Sequence, residues 1–230
     1  MILSNINSIY KATEGEGIFI GRPQVFVRYQ GCSIGCLNCD SKQTWEFKDN
    51  KLISSNDILK EITKQSQTIK WVSITGGDPL HPKNQDAVLD LLKVLKDKGY
   101  KVNIEAAGTV INSEIFNLCD FISWDIKTPS TGVKSNVSLL EKMLANYSNK
   151  LQIKTVVQDE ADFLYLKDFY QTQEKTEFEN WIITPAFCVD EKQITKRFEL
   201  INNLNEEFGN HFRVIGQQHK WIYGPNVADV

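Results

Sequence analysis

The sequence predicts an α/β fold, a partial (βα)6-type barrel with a parallel sheet. Short runs dense in Ile and Val, bounded by Gly, Pro, Asn and Asp, alternate with amphipathic stretches of helical period. About six such units fit into the 230 residues, fewer than the eight of a complete barrel. The residues able to do chemistry fall after the carboxyl ends of strands, the edge where parallel α/β sheets bind ligands.

Residues 13–17 (T-E-G-E-G) are too rich in glycine for a helix and read as a turn carrying two carboxylates. The first strand is 24–29 (Q-V-F-V-R-Y), β-branched and aromatic, and it runs directly into a cysteine-bearing loop at 31–41. Beyond the loop, Ser55 is the expected N-cap of a helix with Ile58, Leu59 and Ile62 on one face. A second strand, 69–75, ends at Gly76, Gly77, Asp78 and Pro79. In the next helix Val88, Leu91, Leu92 and Leu95 recur at i, i+3, i+4 and i+7, and Gly99 stands where a helix stop belongs. The alternation continues with strand 101–106, a short helix at 113–118, strand 121–126, helix 138–146 and strand 151–157. Helix 161–170, strand 181–186, helix 191–204 and a late strand at 212–215 complete it. No repeat, low-complexity tract or linker interrupts the pattern, so one domain spanning 1–230 is expected.

The loop G-C-S-I-G-C-L-N-C-D-S places Cys32, Cys36 and Cys39 within eight positions, close enough to face one inorganic centre if the backbone curls. Gly31, Gly35 and Asn38 favour that curling over a helix. Two metals compete. Structural zinc takes four protein ligands, and only three thiols sit here, with Cys119, Cys188 or His81 as fourth candidates at no recognisable spacing. An iron–sulfur cube held by three thiolates leaves one iron open to a small molecule.

Composition narrows the class. Charged residues make up 24% and apolar ones 41%, as in an ordinary globular protein. A net charge of -3 gives no electrostatic case for binding nucleic acid, and no apolar run reaches membrane-spanning length. The first ten residues lack the basic start and apolar core of a signal peptide. Five cysteines, three of them clustered, suggest ligands in a reducing cytoplasm rather than disulfides.

The remaining motifs each admit a plain structural role. Thr75 to Pro79, T-G-G-D-P, is a tight turn or a place where backbone approaches a ligand closely. Glu105, in E-A-A-G-T, is either solvated at a strand end or accepts hydrogen bonds from hydroxyls. Asp125 and Lys127, in D-I-K, form an ion pair or contact a cofactor. Arg28 lies inside an apolar strand and needs a counter-charge, either Glu14 or Glu16 or a ligand carboxylate. His219, in the polar stretch Gln217 to Lys220, reads alone as a surface histidine.

The C-x3-C-x2-C spacing matches the hallmark of the radical S-adenosylmethionine (SAM) enzymes, and the chain resembles one family among them, the 7-carboxy-7-deazaguanine synthases. T-E-G-E-G, then G-R-P-Q-V-F-V-R, then C-S-I-G-C-L-N-C-D-S with Trp45 behind it, carry the likeness most specifically. G-G-D-P, E-A-A-G-T, D-I-K-T-P-S and Q-Q-H-K follow in the family's order. The resemblance implies a radical SAM barrel in which Cys32, Cys36 and Cys39 hold a [4Fe–4S] cluster with SAM on its open iron. It implies that 6-carboxy-5,6,7,8-tetrahydropterin loses a hydrogen atom to a 5′-deoxyadenosyl radical, contracts its ring and loses ammonia. The product would be 7-carboxy-7-deazaguanine, a precursor of queuosine-type 7-deazapurines.

Carried over by position, Thr13, Glu14, Gly15, Arg28, Thr75 and His219 correspond to substrate contacts, and Glu16 to a proton-transfer candidate. Asn38, Cys39, Asp40, Gly77, Glu105, Asp125, Ile126 and Lys127 correspond to SAM contacts, and Ser41 to a magnesium ligand. The family also implies a homodimer and an electron donor such as flavodoxin or ferredoxin. Three departures stand out: Glu14 where many members carry Gln, Ala-Ala after Glu105, and a tail ending Ala-Asp-Val without the usual basic residue and Gly. Two other readings use part of the same pattern: an activase that abstracts a glycine hydrogen from a partner protein, and a zinc-stabilised binding module without catalysis.

Overall fold

A computed structural model of the chain describes residues 2–47, 51–173, 177–225, 227 and 229. Its strands are β1 (Leu3–Thr13), β2 (Pro23–Tyr29), β3 (Leu52–Ser54), β4 (Trp71–Gly76), β5 (Lys101–Ala106), β6 (Phe121–Asp125), β7 (Leu151–Val157), β8 (Trp181–Pro185) and β9 (Arg213–Val214). They form a nine-stranded sheet in the order β3-β1-β2-β4-β5-β6-β7-β8-β9. From β2 to β9 every neighbouring pair is parallel, whereas β1 is antiparallel to both β2 and β3. The helices are α1 (Ser55–Ser66), α2 (Gln85–Asp97), α3 (Ser113–Leu118), α4 (Val137–Tyr147), α5 (Glu160–Thr172), α6 (Glu191–Glu207) and α7 (Gln218–Tyr223). Helices α1 to α6 each return the chain from one parallel strand to the next, which gives the six expected units. The sheet runs from β3 at one edge to β9 at the other, an open barrel.

Besides the three-residue edge strand β3, two elements lie outside the expectation. Strand β1 precedes the run expected to be first, and Thr13 is its last residue. Its sequence alternates only weakly, so it is its pairing that holds it extended, with β2 at Ala12 opposite Gln24 and Tyr10 opposite Phe26, and with β3 at Ser4 opposite Ile53. The short helix α7 occupies the polar stretch around His219. One cap also moves. Ser54, not Ser55, is the N-cap of α1 and accepts the amide of Asp57 at 3.2 Å. Ser55 is inside the helix and its hydroxyl donates to Asp90 at 2.6 Å.

Strand periodicity sorts the sheet into two chemistries. On one face Val72 and Ile74 of β4, Val102 and Ile104 of β5, and Ile122 and Trp124 of β6 are buried. They form one core with Val88, Leu91, Leu92 and Leu95 of α2. On the other face the in-register neighbours are Arg28 and Thr75, Ser73 and Asn103, Glu105, Ser123 and Gln152, and Asp125 and Lys154. These polar groups satisfy one another: Asn103 donates to Ser73 at 3.1 Å and to Glu105 at 2.6 Å, and Gln152 donates to Ser123 at 2.7 Å. The turn after β1 closes this face from below, the Ile18 amide donating to Gln152 at 2.9 Å. The Arg22 guanidinium lies 3.8 Å from the Phe19 ring and 3.7 Å from Trp71.

Asp162 ties the rim together. It is fully buried at the start of α5. It accepts the Ser130 amide at 3.0 Å, the Ser130 hydroxyl at 2.6 Å and the Gln158 amide at 2.9 Å. It thereby joins the loops after β6 and β7. Replacing Asp162 with Ala strands those donors in a dry site, and urea denaturation should show a loss on the order of 3 kcal/mol. A loss under about 1 kcal/mol would mean water replaces the carboxylate at no cost.

Candidate functional site

The rim loops open into a cavity of about 1130 Å³. Thr13, Glu14, Gly15 and Glu16 line it from the end of β1, and Arg28 from β2. Cys36, Asn38, Cys39, Asp40 and Ser41 line it from the cysteine loop. Thr75, Gly77, Glu105, Asp125, Ile126 and Lys127 enter from the ends of β4, β5 and β6, and His219 from α7. Every residue that the resemblance assigned to a substrate, SAM, proton-transfer or metal contact, Cys32 excepted, therefore faces one space.

Cys32 sits beneath that space, at the root of the loop. The loop is held by its neighbours' backbone. The Gly31 amide donates to Thr44 at 2.7 Å, Cys32 to Trp45 at 2.9 Å and Leu37 to Thr131 at 2.9 Å. The amide of Asp78 donates to Gly31 at 2.9 Å. A side chain on Gly77 would stand 2.6 Å from the Gly31 carbonyl oxygen and 2.8 Å from Cys32 Cβ. The close approach that T-G-G-D-P permits is thus, first, of the chain to its own cysteine loop.

All five cysteines are free, and the three in the loop are partly exposed. Cys39 Sγ accepts the Ser41 amide at 3.3 Å and the Trp45 indole N–H at 3.4 Å. Thiols grouped in a curled loop, with donors already aimed at sulfur, suit thiolate ligation of an iron–sulfur centre. Among the described residues no three or more His, Cys, Asp or Glu side chains are disposed to hold a single metal ion. The candidate fourth zinc ligands are elsewhere engaged. Cys119 is buried in the core and donates to the Phe116 carbonyl, while His81 stacks edge-on to Phe47 with centroids 4.7 Å apart. Cys188 lies on the cavity rim after β8.

The charges deep in the cavity form one system. Lys154 of β7 stands 3.0 Å from Glu16, 3.1 Å from Glu105 and 4.0 Å from Asp125. Burial works against its charge, yet Glu105, Glu16, Asp125 and Glu14 together hold its ammonium well above the usual lysine range. Burial likewise opposes ionisation of Glu16, but Lys154, Gln217 and His219 prevail and hold its carboxyl at about 2. Glu16 is therefore a fixed anion that accepts from Gln217 at 2.7 Å and has no proton to give at neutral pH. Glu14 is its opposite: burial and the neighbouring Glu105 carboxylate push it up to about 7. Glu14 accepts Gln24 at 2.6 Å and the Gly15 amide at 3.0 Å. Asp125 pairs with Lys127 at 2.6 Å, the ion pair its sequence suggested.

Three expectations are corrected here. Arg28 pairs with neither Glu14 nor Glu16: it donates to Tyr10 at 2.6 Å and Ser41 at 3.3 Å, and its Nε lies 3.6 Å from Asp229. Glu105 is not simply solvated, because Asn103 and Lys154 hold it. His219 is no surface residue: it packs on Gly15 so closely that a side chain there would overlap its imidazole. Burial lowers its pKa, against the pull of Glu16. The departures at residues 228 and 230 lie outside the described residues, but Asp229 between them reaches the site.

Lys154, Gln152, Tyr10, Gln217 and Lys220 had not been singled out. Lys154 and Gln152 carry the signal that identified Arg28 and Glu105, a polar group inside an apolar strand. Tyr10 had no strand to be placed on, and Gln217 and Lys220 had no helix. Lys220 closes the site from α7 through an ion pair to Asp40 at 3.0 Å.

A family described as "4Fe-4S single cluster domain" matches residues 13–122. The 7-carboxy-7-deazaguanine synthase of Thermoplasma acidophilum is 31% identical over 220 residues, covering 95% of this chain and 97% of that protein. The enzyme of that name from Rickettsia prowazekii is 38% identical over 123 residues, 50% of this chain and 49% of its own. The crystal structure of QueE from Escherichia coli superimposes with a TM-score of 0.72 at 25% identity, covering 95% of this chain and 96% of that one.

Glu14 makes the site's electrostatics testable without any ligand. A carboxyl raised to about 7 in the fold contributes stability fully below its unfolded value and loses it as pH rises through 7. Glu14→Gln should therefore gain on the unsubstituted protein as pH rises from roughly 5 to 8, by up to about 3 kcal/mol. Unfolding curves across that range that stay parallel would show Glu14 to be ionised throughout.

Proposed function

The chain belongs to the 7-carboxy-7-deazaguanine synthase family, and on that premise we propose that it is a radical SAM carbon–nitrogen lyase. It converts 6-carboxy-5,6,7,8-tetrahydropterin to 7-carboxy-7-deazaguanine with loss of ammonia. The observation that carries this assignment is the meeting of the cysteine loop, T-E-G-E-G and four strand ends in one cavity.

In this reading the whole chain, 1–230, is one radical SAM domain, and Cys32, Cys36 and Cys39 hold the [4Fe–4S] cluster. When bound, the cluster and SAM supply the one-electron chemistry that removes a hydrogen atom from the substrate. Asn38, Asp40, Gly77, Glu105 and Asp125 to Lys127 orient SAM. Arg28 receives the pterin carboxylate, and Thr13, Glu14, Gly15, Thr75 and His219 bind the rest of the pterin. Ser41, which accepts from Arg28 at 3.3 Å, offers a hard oxygen to a magnesium ion beside that carboxylate. Glu16, ionised at neutral pH, serves as a hydrogen-bond acceptor and not as an acid. A homodimer, a flavodoxin or ferredoxin as electron donor, a cytoplasmic location and supply of queuosine-type 7-deazapurines complete the assignment as family expectations.

The decisive experiment is anaerobic incubation of the reconstituted protein with SAM, a reductant and carboxytetrahydropterin, followed by the deazapurine absorbance. The protein should hold about four irons per chain. Cys36→Ala should lose both iron and product, whereas Cys119→Ala keeps them; an iron-replete Cys36→Ala protein would sink the ligand assignment. Arg28→Lys keeps the charge and loses the fork. Its kcat/KM for the pterin should fall roughly tenfold to a hundredfold while SAM binding stays near normal. A variant that only melts earlier would assign Arg28 to stability alone.

A further inference from the structure

Lys154 is the cation on which both halves of the cavity converge. It sits on β7, opposite Asp125 in register, and lines the cavity. Its Nζ reaches Glu16, on the turn after β1, at 3.0 Å, and Glu105, at the end of β5, at 3.1 Å. Asp125, at the end of β6, completes the set at 4.0 Å and has its own partner in Lys127 at 2.6 Å. Among the described residues Glu16 has no other ion pair. Its second contact is the amide of Gln217, whose carbonyl accepts the Phe187 amide at 3.2 Å. The chain around Lys154 is built to hold these groups in place: Gln152, two residues earlier on the same face, accepts the Ile18 amide and so fixes the turn that carries Glu16.

Resting on the functional reading above, we propose that Lys154 is the positioning residue that joins the pterin side of the site to the SAM side. Its one ammonium sets Glu16 and Glu105 in a fixed relation to each other. Without it, among the described residues, the hydrogen bond of Glu105 to a side chain is that of neutral Asn103 and that of Glu16 is from Gln217. Two carboxylates left without a cation in a buried site repel each other, and one of them takes up a proton. Removing Lys154 should then disturb both ligands, although it need touch neither.

The charged and titratable groups facing Glu16 are Lys154 from β7, His219 from α7, Glu14 from its own turn and Asp40 from the cysteine loop. Glu14 is pushed up to about 7 and burial lowers the pKa of His219, so the test must subtract both. Reconstituted holoenzymes of the unsubstituted chain, Lys154→Met, Glu16→Gln and the double variant are compared. Equilibrium binding of SAM and of the pterin is measured, together with the apparent melting temperature from pH 5.5 to 8.5.

Lys154→Met should lose roughly tenfold or more in affinity for both ligands, the size expected of a lost charge-assisted contact. Glu16→Gln should lose affinity for the pterin alone. Without Lys154, burial raises Glu16 above its unfolded value, so the Met variant should lose stability as pH rises through neutrality. That loss comes on top of the one Glu14 gives the unsubstituted protein, and the increment disappears again in the double variant.

Normal affinities in a variant that merely melts earlier overturn the proposal, as does a new pH limb that survives Glu16→Gln. If Lys154→Met does not fold, Lys154→Gln is measured in its place. It removes the charge, keeps hydrogen bonds to the carboxylates and is judged by the same outcomes. Failure of the unsubstituted holoenzyme to bind the pterin would sink the substrate reading instead. Lys154 would then stand or fall on SAM affinity and the melting profile.

Discussion

The inner face of this sheet carries charge where a closed barrel would carry apolar layers, and Lys154 makes that possible. An isolated ammonium or carboxylate in a dry site costs several kcal/mol. Here the cost is offset only because Lys154 meets Glu16, Glu105 and Asp125 together. Its neighbours are then fixed in turn: Glu105 by Asn103, Asn103 by Ser73, and Gln152 by Ser123 and the Ile18 amide. The links from Asn103 to Ser73 and from Gln152 to Ser123 span adjacent strands, so the polar file is as much a part of sheet register as the apolar core behind it.

The cysteine loop obeys a different constraint. Thiols that are to receive an inorganic centre cannot be fixed by burying their side chains. The loop is instead set by backbone bonds at its two ends and its tip, to Thr44, Trp45 and Thr131. Gly77 permits the closest of these approaches, where β4 turns against Gly31. The position of the sulfur atoms is thereby decided by residues that carry no chemistry.

Much of this was legible in the sequence, for a physical reason. Strands such as Leu151–Val157 are apolar on the face that meets the helices, and α2 carries its stripe of Val88, Leu91, Leu92 and Leu95. A residue at the carboxyl end of such a strand has only one rim to occupy, so Thr75, Glu105 and Asp125 could be placed together before any coordinates. Strand β1 was not legible because it is placed by its antiparallel neighbours β2 and β3 and carries little apolar alternation of its own. Tyr10 was lost with it. Lys154 was legible in principle: the test that selected Arg28, a charge inside an apolar run, applies to L-Q-I-K-T-V-V without change. Helix α7 was not, since its six residues bury no complete side chain and it is placed by contacts to Gly15, Glu16 and Asp40.

Arg28 and Lys154 show how the same signal leads to two kinds of site. Both are cations inside strands on the inner face. Lys154 is answered by carboxylates and its charge is used up within the protein. Arg28 is oriented by hydroxyls, those of Tyr10 and Ser41, which direct its fork without neutralising it. The carboxylate within reach is Asp229, at 3.6 Å, a distance that leaves Nε without a hydrogen bond. Its side chain is 37% exposed against 16% for Arg28, so this counter-charge comes from the solvent side of the cavity. A partly buried guanidinium held in place but incompletely paired favours any anion that enters with matching geometry. Both cations line the cavity, but one is matched by close carboxylates and the other is steered by alcohols with its acid at longer range.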